Sequence, residues 1–245
     1  MEAEFRWPAF ILRNWYPMQL FGILWKIPFL FVLLLLGGCD DSWSWHQKLT
    51  VTVETPSGPK SASSVMTANL EHRKGGLFIP REATGAFFKL EGEAVVLEVV
   101  PGKYLFVLLT DLRRPYGLFF PGEAPLDVAP KLERMSKPAT ATLTRSDYPL
   151  LVTFTDINDP KTVKRVNPDN LAEFFGSGTS LISITLSITR EQVTEGKIED
   201  VLGWLKEEGE KNPTLLPNPP YLRKDATDPD MQYLTVSSFS TELYK

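Results

Sequence analysis

Cysteine and histidine are nearly missing from this 245-residue chain, which holds one cysteine, Cys39, and two histidines, His46 and His72. A single cysteine excludes an internal disulfide framework. Two histidines leave little from which to build a histidine-based metal centre or a serine triad, in which histidine is the base. Neither has a G-x-S-x-G elbow to serve, and Gly176-Ser177-Gly178 is not that motif. A basic excess is lacking too. Lys and Arg number 26 against 30 Asp and Glu, a formal charge of −4, which gives no electrostatic reason to expect nucleic acid as a partner. What is there is ordinary: 43% hydrophobic and 23% charged residues, close to globular averages. The length suits one large domain or two small ones.

Hydrophobicity is unevenly spread. Ile27 to Leu36 reads IPFLFVLLLL, with Lys26 before it and Gly37, Gly38 and Cys39 after it. A basic flank, an apolar core and a small-residue region form the layout of a secretory signal. As a helix the ten-residue run is too short to cross about 30 Å of hydrocarbon. Leu36-Gly37-Gly38-Cys39 resembles a bacterial lipobox. The resemblance implies diacylglyceryl transfer to the Cys39 thiol, cleavage between Gly38 and Cys39, and in many such proteins acylation of the freed amine, with palmitate a typical chain. An uncleaved anchor over residues 16–38, with Lys26 its one charge, is the competing expectation; an ordinary signal peptide is the third. A 38-residue signal is long and carries Glu2 and Glu4, so Met18 is an alternative start. Removing residues 1–38 leaves a formal charge of −5. Membrane attachment then falls to the acyl chains rather than to charge. Asp40 follows the cysteine, and in enterobacterial lipoproteins that position retains the protein in the inner membrane, facing the periplasm.

The remainder is expected to be β-rich α+β. Residues 39–47 read as a lipidated tether, whose Trp43 and Trp45 either reach the headgroups or pack on the first strand. Residues 48–110 read as a β-sandwich-like region. Leu49, Val51 and Val53 alternate with polar neighbours, and 64–73 forms the returning strand. A hairpin is predicted over 87–99, and Val100-Pro101-Gly102-Lys103 is a type II turn before a strand at 104–109. Residues 111–147 form a proline-rich connection in which prolines break any long helix. Residues 148–245 form an α+β region. It holds a strand at 150–155, a helix after Asn167-Pro168 with Leu171, Phe174 and Phe175 as its stripe, and a strand at 180–189 with Ile182, Ile184, Leu186 and Ile188 inward. A helix capped by Thr194 with Ile198, Val201, Leu202 and Leu205 as its stripe follows. A loop over 212–229 and a final strand at 233–239 complete it.

VTVETPSGPKSASSV and GEAVVLEVVPGKYLFVLL are similar to the opening hairpin and the later strand-turn-strand of prealbumin-like and carboxypeptidase-regulatory-like modules. Those are mostly binding or structural elements. WHQKLTVTVETPSG, LLVTFTDINDP and VTEGKIEDVLGWL resemble phrases of exported alphaproteobacterial proteins, which implies a compartment and no chemistry.

Candidate chemistry is sparse. Asp156-Ile157-Asn158-Asp159-Pro160 lacks the fifth-position oxygen ligand and the glycine of a calcium loop and reads as an Asx turn. Arg113-Arg114 and Lys161, Lys164 and Arg165 read as solvated basic groups. Tyr116, Phe119 and Phe120 are either a binding edge or core. The expectation is a periplasm-facing, lipid-anchored binding or assembly subunit without catalytic, cofactor or metal residues, its partner an envelope protein or glycan. The alternative is a cell-wall glycan hydrolase working through two carboxylates.

Overall fold

A computed structural model describes residues 41–75, 80–110, 116–207, 231 and 234–244. It is β-rich α+β, built on two antiparallel sheets. The longest elements are β1 (Asp41–Glu54) and β2 (Lys60–Arg73), whose register runs from Asp41 opposite His72 to Val53 opposite Lys60. Period-two patterning gives β1 one apolar face, on which Trp45, Leu49, Val51 and Val53 are buried. The β1–β2 turn closes through Thr55, whose hydroxyl donates to the Gly58 carbonyl at 2.7 Å. β3 (Gly85–Glu91) pairs with β2, β9 (Ser180–Thr189) pairs with β1, and β6 (Ala139–Thr142) pairs with β9. This sheet has the order β3-β2-β1-β9-β6.

The second sheet has the order β4-β5-β7-β8, formed by Val95–Val100, Lys103–Val107, Leu151–Phe154 and Val163–Arg165. The inner faces of the two sheets meet through Leu49, Val51, Met66, Val95, Leu97, Leu105, Val107, Ile184 and Leu186. The far face of the second sheet is covered as well. Phe106, Val152 and Phe154 pack there against Leu202, Leu205, Val236 and Phe239. A third cluster joins Trp45, Leu70 and Ile188 to Val128, Ala129 and Leu132.

Among the described residues four short helices accompany the sheets: α1 (Tyr116–Phe119), α2 (Pro125–Arg134), α3 (Ala172–Phe175) and α4 (Lys197–Val201). α2 forms inside the proline-rich stretch because Pro125 takes the first turn, where an N–H is not needed. Pro130 also lies within it, in a helix only ten residues long.

Several expectations are corrected. Residues 41–47 are strand rather than tether, since Trp45 finds α2 to pack against. Residues 87–99 are no hairpin: β3 and β4 lie in different sheets, and the chain crosses between them at Gly92 (φ +144°), where a Cβ would stand 2.7 Å from Cβ of Met66. The regions 48–110 and 148–245 are interleaved, because β9 pairs with β1 and β7 with β5. The stretch 111–147 contributes α2 and the edge strand β6. Ile182 is 51% exposed, because a register shift between Thr52 and Val53 carries it out of the inward series. Thr194 does not cap α4: its hydroxyl accepts from the Val65 N–H at 2.9 Å. Val236–Ser238 is a 3₁₀ turn, not strand, touching the second sheet's start through a bridge from Ser240 to Glu93. The β4–β5 hairpin turns at Gly102 (φ +74°), as its Pro-Gly signature predicts. The 212–229 loop lies outside the described residues.

Candidate functional site

A half-open cleft of about 320 Å³ lies where the connection after β6 meets the end of β8, lined by Arg145, Arg165, Asn167, Pro168 and Glu173. Asn167 starts an Asx turn, accepting from the Asp169 N–H at 3.0 Å. The Arg145 guanidinium donates to Asn167 Oδ1 at 3.1 Å and to Asp169 Oδ2 at 2.8 Å, and lies over the Tyr148 ring. Arg145 is thus oriented by two acceptors and a ring, and it stands beside a second guanidinium and one carboxylate, Glu173. Such a lining suits a polar or anionic group on a partner, since guanidinium forks recognise carboxylate and phosphate. Its volume is at the small end for a ligand pocket.

Glu93 and Gln47 are polar side chains buried in the interior. Glu93, only 1% exposed, sits on the crossover after Gly92. Its carboxylate accepts from the backbone N–H groups of Lys197 at 3.3 Å and Ile198 at 3.1 Å, and its carbonyl accepts from Ser64 Oγ at 2.7 Å. It is therefore the cap that α4 receives in place of Thr194. Burial pushes its pKa above the ordinary 4.5 despite these two N–H donors, and the nearby Glu199 adds to the rise. Gln47 is 0% exposed, and neither its amide nitrogen nor its amide oxygen has a hydrogen-bond partner; the same holds for Nε1 of Trp45, two residues earlier on the same face of β1.

Gly38, Cys39 and Asp40, the residues assigned to cleavage, lipid attachment and sorting, lie outside the described residues, as do Arg113 and Arg114. Asp41, the next residue after Asp40, is the first of β1. His46 is a surface contact, its Nδ1 2.7 Å from the Glu191 carbonyl, and His72 sits in β2 opposite Asp41. Glu191 also pairs with Lys48 at 2.9 Å, which holds its carboxyl below the usual range. Asp156 and Asp159 form Asx turns, accepting from the N–H groups of Asn158 at 3.0 Å and Lys161 at 2.9 Å. No group of three possible metal ligands occurs among the described residues. Phe119 and Phe120 pack on the third cluster, and Trp43 packs beside Trp45. Lys164 and Arg165 are exposed on β8, and only Arg165 reaches the cleft.

Sequence reasoning missed Glu93, Gln47 and the Arg145 cleft. Gln47 left a signal, because it interrupts the period-two series Trp45, Leu49, Val51, Val53. Glu93 and Arg145 left none that separates them from other charged residues. Among the described residues no helix is long and apolar enough to cross a membrane. No protein-family model, no curated protein and no solved structure matches the chain.

Proposed function

We propose that this chain is a lipid-anchored protein of a bacterial envelope, held by acyl chains on Cys39 and serving in the periplasm as a non-enzymatic binding or assembly subunit. The observation that carries this reading is the junction: only Asp40 lies between the lipobox-like Leu36-Gly37-Gly38-Cys39 and Asp41, the first residue of β1. A cut before Cys39 would leave β1 whole. The cleft supports binding over hydrolysis. A glycosidase of the usual kind needs two carboxylates flanking its substrate, and Glu173 is the one acid among the residues lining this cleft. Asp40, directly after Cys39, favours the inner membrane.

The test is metabolic labelling with a palmitate analogue followed by membrane fractionation. Wild type takes up label and partitions with membranes. Cys39→Ala takes up none and accumulates as a longer precursor. Unchanged mobility and unchanged membrane retention in Cys39→Ala overturn the reading. Wild type found in the outer membrane removes the sorting role of Asp40 and leaves lipidation standing.

A further inference from the structure

We propose that the end of the sandwich formed by the start of β1, the close of β2 and the opening of β3 docks flat on the lipid bilayer surface, so that the domain stands on the membrane in one orientation. The inference rests on the lipidation of Cys39 proposed above, and adds to it a surface and a direction.

Only Asp40 separates Cys39 from Asp41, the first residue of β1. Two Cα steps reach at most about 7 Å. Asp41 is in turn held in register, opposite His72 on β2, and His72 lies opposite Ala86 on β3. Adjacent strands are about 5 Å apart, so the three segments form one compact end. With acyl chains on Cys39 in the leaflet, this end sits at headgroup depth, because no slack exists for it to sit elsewhere.

Its surface suits that position. Phe87 and Ile182 are the exposed large hydrophobic residues among those described, at 39% and 51%. Phe87 belongs to this end, one position from Ala86, and the Arg73 guanidinium lies 4.7 Å from its ring centre. An aromatic ring with a basic group is the combination that settles at a bilayer interface. Two ion pairs lie here, Lys74 with Asp41 at 2.8 Å and Arg73 with Glu71 at 3.0 Å. These pairs add no net charge for an anionic leaflet to repel, although the chain beyond residue 38 is acidic overall. Ile182 is at the opposite end, since its neighbour Leu181 lies opposite Val53. Fourteen residues of β1 place the two ends roughly 45 Å apart. The exposed apolar groups therefore face opposite ways, Phe87 to the lipid and Ile182 to the periplasm.

The test uses the full lipidated chain in vesicles of phosphatidylethanolamine and phosphatidylglycerol. Lipid on Cys39 occupies the chain's only thiol, so an introduced cysteine is the one free site for a fluorescent label. Ala86→Cys reports the docking end and Ser57→Cys, in the β1–β2 turn, the far end. Nitroxide groups on the lipid heads should quench the Ala86→Cys label several-fold more than the Ser57→Cys label. Adding Phe87→Ser should weaken that quenching without changing flotation. Wild type offers an independent measurement: amide exchange on vesicles slows at 71–74 and 85–88 and not at 55–59. A protein that floats with vesicles yet shows equal quenching at both ends and no slowed exchange overturns docking and leaves lipidation intact. Shielding of the Ala86→Cys label from aqueous iodide without lipid quenching also overturns it, in favour of contact with a second copy. A protein that carries no acyl mass and does not float overturns both readings together.

Discussion

The two sheets differ in how many faces they bury. The five-stranded sheet buries one: β1 alternates strictly from Trp45 to Glu54, with buried Leu49, Val51 and Val53 between half-exposed neighbours. The four-stranded sheet buries two: every residue of β7 is buried, with Leu151 turned to the first sheet and Phe106, Val152 and Phe154 to the C-terminal segment. A one-faced antiparallel sheet writes its orientation into the sequence as a period of two, whereas a sheet covered on both sides reads as an unbroken apolar run. The cover decides which. Phe239 meets Phe106 edge-on at 5.8 Å and lies 5.9 Å from Phe154, which meets Trp204 at 5.7 Å. That aromatic cluster joins residues more than 130 positions apart into a third layer.

The comparison breaks most sharply at Phe239. Phe239→Ala should destabilise the protein by about 3–5 kcal/mol, as expected for deleting a buried ring. Thr50→Ala, on the open face of β1, should stay within about 0.5 kcal/mol. Urea unfolding of both variants checks this. Equal midpoints would mean that the C-terminal cover contributes nothing to the second sheet.

Gly92, the crossover between the sheets, comes next. Gly92→Ala combines a positive φ with a Cβ 2.7 Å from Met66. It should lower stability by about 2 kcal/mol or more, read as a fall in thermal midpoint. An unchanged midpoint would show that the crossing is relaxed.

Gln47 tests the face that the first sheet does bury. Its amide has no partner at 0% exposure, so Gln47→Met should stabilise by about 1–2 kcal/mol by removing an unsatisfied polar group at similar volume. Destabilisation instead would reveal that an internal water or a bound polar group satisfies the amide.

The smallest effect concerns Glu93, which ties the crossover to α4. Its carboxyl holds a proton more tightly folded than unfolded, because burial raises its pKa above 4.5. The stability it contributes is therefore fully present below about pH 4.5 and is lost as pH climbs through the folded value. Glu93→Gln should flatten that decline above pH 4.5, measured by urea midpoints on either side of it. Identical slopes in wild type and variant would remove Glu93 from the pH response.

Legibility followed the same division. The β1–β2 pair, the Pro101-Gly102 turn and β9 were readable because each rests on local chemistry: alternation, a fixed proline φ, a glycine at positive φ. The hairpin expected over 87–99 was wrong for a reason no local pattern carries. Phe87–Leu90 and Val95–Val99 look like partners, yet β2 offers one of them a longer edge and β5 the other. The Thr194 cap failed similarly, since the hydroxyl found the Val65 N–H and α4 found Glu93, 104 positions from Lys197. Of the candidate cleft, Asn167-Pro168 was visible as a helix start, where the structure instead forms an Asx turn ahead of α3, while Arg145 and Glu173 join it only through the chain's path after β6 and β8.

By itself, the sequence determined the β-rich class and the strand faces of the open sheet, since these depend on neighbours a few residues apart. The tertiary structure alone decided which strands share a sheet, that Asp41–Gln47 belong to β1, and where Glu93, Gln47 and the Arg145 cleft lie. Those outcomes depend on which distant segment covers each apolar face and reaches each buried polar group first, and that competition is settled by packing in three dimensions.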